Sequence, residues 1–177
     1  MSEDAFDVLG LPAQFDLDVA DIRRAYLSRA AGAHPDLAED QDEADIRSAV
    51  LNRSKSLLED PERRANILLE RLGGPGKGQD KSLPPGFLMS IMETREAIEQ
   101  ALASRDAAER TKWEAWAQGE RAEYQRKVGG FFAACGTSRD PETLRAIRQE
   151  LNAWRYIERL IEQLDPHYDP ASRDFAD

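Results

Sequence analysis

His34-Pro35-Asp36 is the stretch on which the reading of this chain turns. The residues before it, Asp18 to Ala33, have a helix-start signal and apolar side chains at helical spacing, and the residues after it, Glu43 to Glu59, repeat the pattern. A proline at 35 has no backbone donor and disfavours the helical conformation at the residue before it, so the first helix must stop at the corner. The result is a stiff polar turn with an imidazole and a carboxylate on either side of a fixed ring.

Working outward, Asp4 caps a short helix whose inner face carries Phe6 and Leu9 and which Gly10 and Pro12 end. Asp18 caps the second helix, with Asp21 at its third position and Ile22, Tyr26, Ala30 and Ala33 along one face; Arg23, Arg24 and Arg29 lie off that face. An acidic loop, Leu37 to Asp42, leads to the third helix, which places Ile46, Val50, Leu57 and Leu58 near one side. Asp60-Pro61 reads as a cap followed by the first residue of a fourth helix carrying Ala65, Leu68 and Leu72.

This layout resembles the J-domain of DnaJ-type co-chaperones: two long antiparallel helices joined by a His-Pro-Asp loop, with a short helix on each side. The segments Asp4-Ala5-Phe6-Asp7-Val8-Leu9-Gly10, Ile22-Arg23-Arg24-Ala25-Tyr26 and Leu58-Glu59-Asp60-Pro61-Glu62-Arg63-Arg64 carry the resemblance beyond the tripeptide. It implies that His34, Pro35 and Asp36, with Arg23, Arg24 and Arg29 on the second helix, dock on a chaperone ATPase and stimulate its hydrolysis of ATP. J-domains usually place an aromatic and a basic residue just before the His; here stand Ala33 and Gly32, so the basic face rests on the three arginines.

Gly73-Gly74-Pro75-Gly76-Lys77-Gly78 has the composition of a linker. The expected division is a J-domain over 1–72, a linker over 73–82 and a second domain over 83–177. That domain reads as an up-down bundle of three amphipathic helices. The first follows Pro84-Pro85-Gly86, with Leu88, Ile91, Arg95, Ile98 and Leu102 on one side. The second starts at Asp106 and carries Trp113, Trp116, Tyr124, Val128, Phe131 and Phe132, with Gly129-Gly130 expected to kink or fray its end. The third starts at Asp140-Pro141 and runs through Leu144, Ile147, Leu151, Trp154, Ile157 and Leu164 to a stop at Pro166. The three tryptophans read as bundle core. No strand-like alternation or internal repeat interrupts an all-α pattern.

Composition bounds the function. The chain has 177 residues, 33% of them charged, and a formal net charge of −10 from 24 basic and 34 acidic side chains. No cationic excess is available to displace phosphate counterions, which argues against a nucleic-acid partner. Acidity serves solubility or a basic partner surface. Cys135 is the only cysteine, which excludes an internal disulfide and reads as a buried thiol. No apolar stretch approaches a membrane span and no basic segment precedes an apolar run at the start, so the cytoplasm is the expected compartment. Catalysis is not expected: His34 and His167 are the only histidines, no nucleophile stands near them, and no glycine-rich phosphate loop follows a strand. No cofactor or metal is expected either.

In the second half, Phe87-Leu88-Met89-Ser90-Ile91-Met92-Glu93-Thr94-Arg95-Glu96 and Glu150-Leu151-Asn152-Ala153-Trp154-Arg155-Tyr156-Ile157 resemble the first and last C-terminal helices of the HscB-type co-chaperones. These carry iron–sulfur scaffold proteins of the IscU type to an HscA/DnaK-type ATPase. The resemblance implies a scaffold grip by Leu88, Met89, Met92, Glu93, Glu96 and Tyr156, with Gln100 where a further acid is common. Read from the residues alone, Met89, Met92, Glu93, Glu96 and Gln100 share one helical face beside the Ile91/Ile98 stripe, and Leu88 suits either core or interface. Methionines ringed by carboxylates fit a hydrophobic patch with a basic rim.

Overall fold

The computed structural model describes residues 3–31, 41–136 and 139–165. Gly32, Ala33, the His34-Pro35-Asp36 corner, residues 37–40 of the acidic loop and the tail from Pro166 lie outside the described residues. All regular structure among the described residues is helical: α1 (Ala5–Leu9), α2 (Val19–Ala31), α3 (Gln41–Glu59), α4 (Pro61–Arg71), α5 (Phe87–Ser104), α6 (Ala107–Cys135) and α7 (Pro141–Leu164).

Aspartates set most of the helix starts. Asp4 forms a capping box with Asp7, its Oδ1 accepting from the amides of Phe6 and Asp7, and Gly10 closes α1 in the left-handed region at φ 67°. Asp60, Asp106 and Asp140 each accept from amides in the first turn of α4, α6 and α7, and Pro61 and Pro141 take the first helical position, where no donor is needed.

α2 and α3 are antiparallel. Arg23 pairs with Glu59 at 2.8 Å, while Tyr26 Oη donates to Asn52 Oδ1 at 2.8 Å, so partners descend along α3 as α2 ascends. Phe6, Leu9, Ile22 and Leu58 are buried between them, each fully removed side chain contributing about 1.5–3 kcal/mol of hydrophobic stabilisation. The expected α3 face is corrected. Ile46 and Val50 are exposed, and the helix buries Ala44, Leu51, Ser54 and Leu58. Spacings of seven, three and four residues keep that second set on one stripe, whereas Ile46 stands roughly 120° from its centre and Val50 lies about 40° beyond its Ser54 edge.

α5, α6 and α7 form the second body, with α6 and α7 antiparallel: Arg110 donates to the Leu164 carbonyl, Arg121 pairs with Glu158, and Lys127 pairs with Glu150 at 2.6 Å. α7 supplies the core stripe of Leu144, Ile147, Leu151, Trp154, Ile157, Leu160 and Leu164. Trp154 is buried and its indole N–H donates to Glu158. Trp113 and Trp116, edge to face on one another, pack against the same core but are half-buried, so of the three tryptophans expected there Trp154 alone is fully enclosed. α6 also runs unbroken through Gly129 and Gly130 to Cys135. Gly129 lies against the Phe15 ring, where a Cβ would stand 3.2 Å from two ring carbons, and Phe15 stacks on Phe132 with centroids 5.6 Å apart.

The two bodies are in contact, and α4 lies between them. It buries Glu62, Arg64, Ala65, Asn66, Leu68 and Leu69, too many sides for a helix with one solvated face. Leu68 joins the core of α1–α3, while Ala65 and Leu69 join the core of α5–α7. The glycine-rich stretch is a strap rather than a free tether. The Gly74 amide closes back on the Leu69 carbonyl at 2.9 Å, and the Asn152 side-chain amide holds the carbonyls of Asp80 and Ser82 at 3.0 and 2.9 Å. Among the described residues no helix is long and apolar enough to cross a membrane.

Candidate functional site

The first surface is built on α2. Arg23, Arg24 and Arg29 are all exposed, but they are not gathered on one face. Arg23 leans on α3 through Glu59, Arg24 pairs with Asp21 one turn earlier at 2.9 Å, and the Arg29 guanidinium covers Gly10 at the end of α1. At 100° per residue, Arg29 stands about 120° from Arg23 around the helix. Such exposed pairs exchange partners at little cost, so Arg23 and Arg24 remain available to an anionic surface. His34, Pro35 and Asp36 belong to the undescribed segment that follows α2.

The second surface is the outer face of α5. Gly86, at φ 79°, starts the helix after two prolines. Ile91 and Ile98 turn into the bundle. On the other side Leu88 is 52% exposed, Met89 73% and Met92 57%, and this places Leu88 at the surface. Glu93 and Glu96 are exposed beside them, with no ion-pair partner among the described residues. By angle, Leu88, Met92 and Met89 span roughly 100° of the helix, with Glu96 inside the same arc and Glu93 about 40° beyond it. Three large apolar side chains share one exposed face, which is more than scattered surface hydrophobics.

Tyr156 approaches this surface from α7. It is half-buried, and its ring meets Phe87, the first residue of α5, edge to face at 5.7 Å. The fold therefore brings Tyr156 to the end of α5 that carries Leu88. Arg159 lies over the same ring at 6.0 Å.

Sequence reasoning missed a third feature. Between α4, the strap and α7 lies a cleft of about 470 Å³, lined by Lys77, Lys81, Arg148, Arg155, Arg159 and Tyr156 around the buried Glu62. Burial holds the Glu62 carboxyl above its ordinary value against the opposing pull of Lys77 and Arg155, and burial likewise lowers Arg148. The available signal was the run Arg148, Asn152, Arg155, Arg159 at spacings of four, three and four, hidden among the other charges of α7. Among the described residues no cluster of His, Cys, Asp and Glu could hold a metal ion.

With this geometry in view, relatives identify the two bodies. Residues 4–67 match the DnaJ domain family, and residues 83–165 match the family described as the HSCB C-terminal oligomerisation domain. The co-chaperone protein HscB homolog of Bordetella petrii is 30% identical over 169 residues, covering 92% of this chain and 95% of that protein. The homolog of Chromobacterium violaceum is 36% identical over 114 residues, covering 61% of this chain; that match spans 65% of the relative, just under two thirds of its length. Among solved structures, the chaperone HscB from Vibrio cholerae has a TM-score of 0.73 at 26% identity, covering 91% of this chain and 94% of that one. In sequence over nearly its whole length, and in its pairing of a J-domain with a helical C-terminal domain, the chain belongs to the HscB co-chaperone family.

Proposed function

We propose that the protein stimulates the ATPase of an HscA/DnaK-type chaperone and delivers to it an IscU-type iron–sulfur scaffold protein, working in the cytoplasm and catalysing no reaction itself. The J-domain, residues 1–72, engages the ATPase through His34, Pro35 and Asp36, assisted by Arg23, Arg24 and Arg29. The C-terminal domain, residues 83–177, holds the scaffold through Leu88, Met89, Met92, Glu93, Glu96 and Tyr156. Hydrolysis chemistry belongs to the ATPase; His34 and Asp36 act by docking geometry. Linking both sites in one chain raises the effective concentration of one bound partner near the other. The packed α4 interface and the strap over 73–82 give that pairing a fixed geometry.

The observation that supports this reading most is the exposed Leu88–Met89–Met92 face, with carboxylates beside it that have no ion-pair partner among the described residues. A folded protein keeps such a face in water only at a cost, and an apolar partner patch with a basic rim relieves it. Calorimetric titration of the scaffold tests the reading. Met92→Ala and Glu96→Arg should each weaken binding by roughly tenfold or more, as truncation of an interface anchor does, without lowering thermal stability. Unchanged affinity in both variants would remove this face from the account.

A further inference from the structure

The cleft between α4, the strap and α7 has the opposite charge sign to the rest of the molecule. Its walls carry Lys77, Lys81, Arg148, Arg155 and Arg159, with Glu62 the one carboxylate among its described lining residues, on a chain of net charge −10. Some of that charge is compensated nearby. Glu62 lies 4.0 Å from Lys77 and 3.7 Å from Arg155, and Arg155 also reaches Glu162 at 3.1 Å. Glu70 and Asp80 act on Arg148 only through space. The described lining itself holds five cationic side chains and one carboxylate.

Arg148 distinguishes this cleft from an ordinary basic surface. The residue is almost fully buried (1% exposed), yet among the described residues no carboxylate is hydrogen-bonded to it. One terminal nitrogen donates to the neutral Asn66 amide at 2.7 Å, and its buried Nε has no hydrogen-bond partner among the described residues. A guanidinium held this way has paid its desolvation cost before any ligand arrives, and its planar fork suits the oxygens of a phosphate. A volume of about 470 Å³ lies within the range of small-molecule sites.

The arrangement along α7 selects among anions. Arg148, Arg155 and Arg159 lie on one stripe, about 16 Å from end to end at the helical rise, and Asn152 between them anchors the strap through the carbonyls of Asp80 and Ser82. Lys77 and Lys81 face it from the strap. That length exceeds one phosphate group and suits several in a chain. The Tyr156 ring, with Arg159 above it, supplies a flat surface beside the stripe. We infer that this cleft binds a polyphosphate chain, either as inorganic polyphosphate or as the triphosphate of a nucleotide whose base rests on Tyr156. The inference is independent of the scaffold reading, although both use the Tyr156 ring.

The test is calorimetric titration of the full chain with tripolyphosphate and with adenosine triphosphate, at fixed low ionic strength and without divalent cations. Tripolyphosphate should bind with one-to-one stoichiometry. The exposed-residue variant Lys81→Gln/Arg159→Gln should weaken it at least tenfold, whereas the charge-matched Arg53→Gln/Arg126→Gln, remote in sequence and absent from the cleft lining, should not. If the ligand is a nucleotide, adenosine triphosphate binds more tightly than tripolyphosphate and Tyr156→Ala removes the difference; equal affinities assign inorganic polyphosphate. Absence of tripolyphosphate binding at millimolar concentration would overturn the inference. Equal losses in the two double variants would do so as well, as would binding of a glutamate-rich peptide in preference to either phosphate.

Discussion

Arg148 of α7 donates to the Asn66 side chain of α4 at 2.7 Å, joining residues 82 apart in sequence across a buried boundary. Around that bond, Ala65 and Leu69 enter the C-terminal core, and Phe15 packs on Gly129 and Phe132 of α6. The J-domain and the bundle therefore share one packed interface. In the proposed function, a scaffold on α5 and an ATPase on α2 then meet at a fixed angle.

Replacing Asn66 by Ala leaves the buried Arg148 guanidinium without its acceptor. An unsatisfied buried polar group costs about 1–3 kcal/mol, more when charged. Differential scanning calorimetry should show Asn66→Ala unfolding several degrees below the parent protein. An unchanged Tm would mean that the boundary pair contributes nothing.

The adjacent glycines of α6 should respond differently to alanine. Gly130 has open space at its Cβ position, so Gly130→Ala should stabilise by about 0.5–1 kcal/mol through helix propensity alone. A Cβ on Gly129 would press on Phe15 at 3.2 Å, so Gly129→Ala should gain less or lose stability. Chemical denaturation of the pair tests this; equal gains would show that Phe15 does not hold its place against α6.

Core and interface should separate cleanly on α7 and α5. Trp154 is buried with its indole N–H bonded to Glu158, and Trp154→Ala should cost about 3–5 kcal/mol. Met89 is 73% exposed, and Met89→Ala should shift stability by less than about 0.5 kcal/mol while weakening scaffold capture. A large stability loss at Met89 would make it a packing residue and end its assignment to the interface.

These residues also show what the sequence could and could not disclose. Helix starts were legible because each signal is local: Asp60-Pro61 and Asp140-Pro141 announce a cap and a first turn within two residues. The all-α architecture and both domains followed from those signals together with the resemblance. Faces were harder to read. Ile46 and Val50 have the right spacing for a core stripe, but α3 rotates Leu51 and Leu58 inward, and only packing against α1 and α2 decides that rotation. Gly129-Gly130 looked like a break because the ring that rests on it, Phe15, comes from more than a hundred residues away. The second apolar side of α4 and the basic cleft both form between bodies distant in sequence. On α5 the split between Ile91/Ile98 and Met89/Met92 was legible, while the exposure of Leu88 needed the structure.

Glu62 gives a pH dependence of defined sign. Burial raises its folded pKa above the unfolded value of about 4.3. The native state therefore holds that proton more tightly than the unfolded state does. The contribution of Glu62 to stability falls as pH rises from about 4.3 through the raised folded value, and is constant above it. Glu62→Gln cannot lose a proton, so its stability relative to the parent should increase across that interval. Urea denaturation at steps from pH 4 to pH 8 measures the difference; a flat or falling difference would contradict the buried-carboxylate account.

The central claim is that this chain couples a bound scaffold to ATP hydrolysis by a chaperone. Single-turnover hydrolysis by the cognate HscA/DnaK-type ATPase, with and without this protein and the IscU-type scaffold, tests it most directly, with His34→Gln run alongside. The account predicts stimulation that is strongest with both proteins present and is lost in His34→Gln. Stimulation that ignores the scaffold, or that survives His34→Gln, would contradict it.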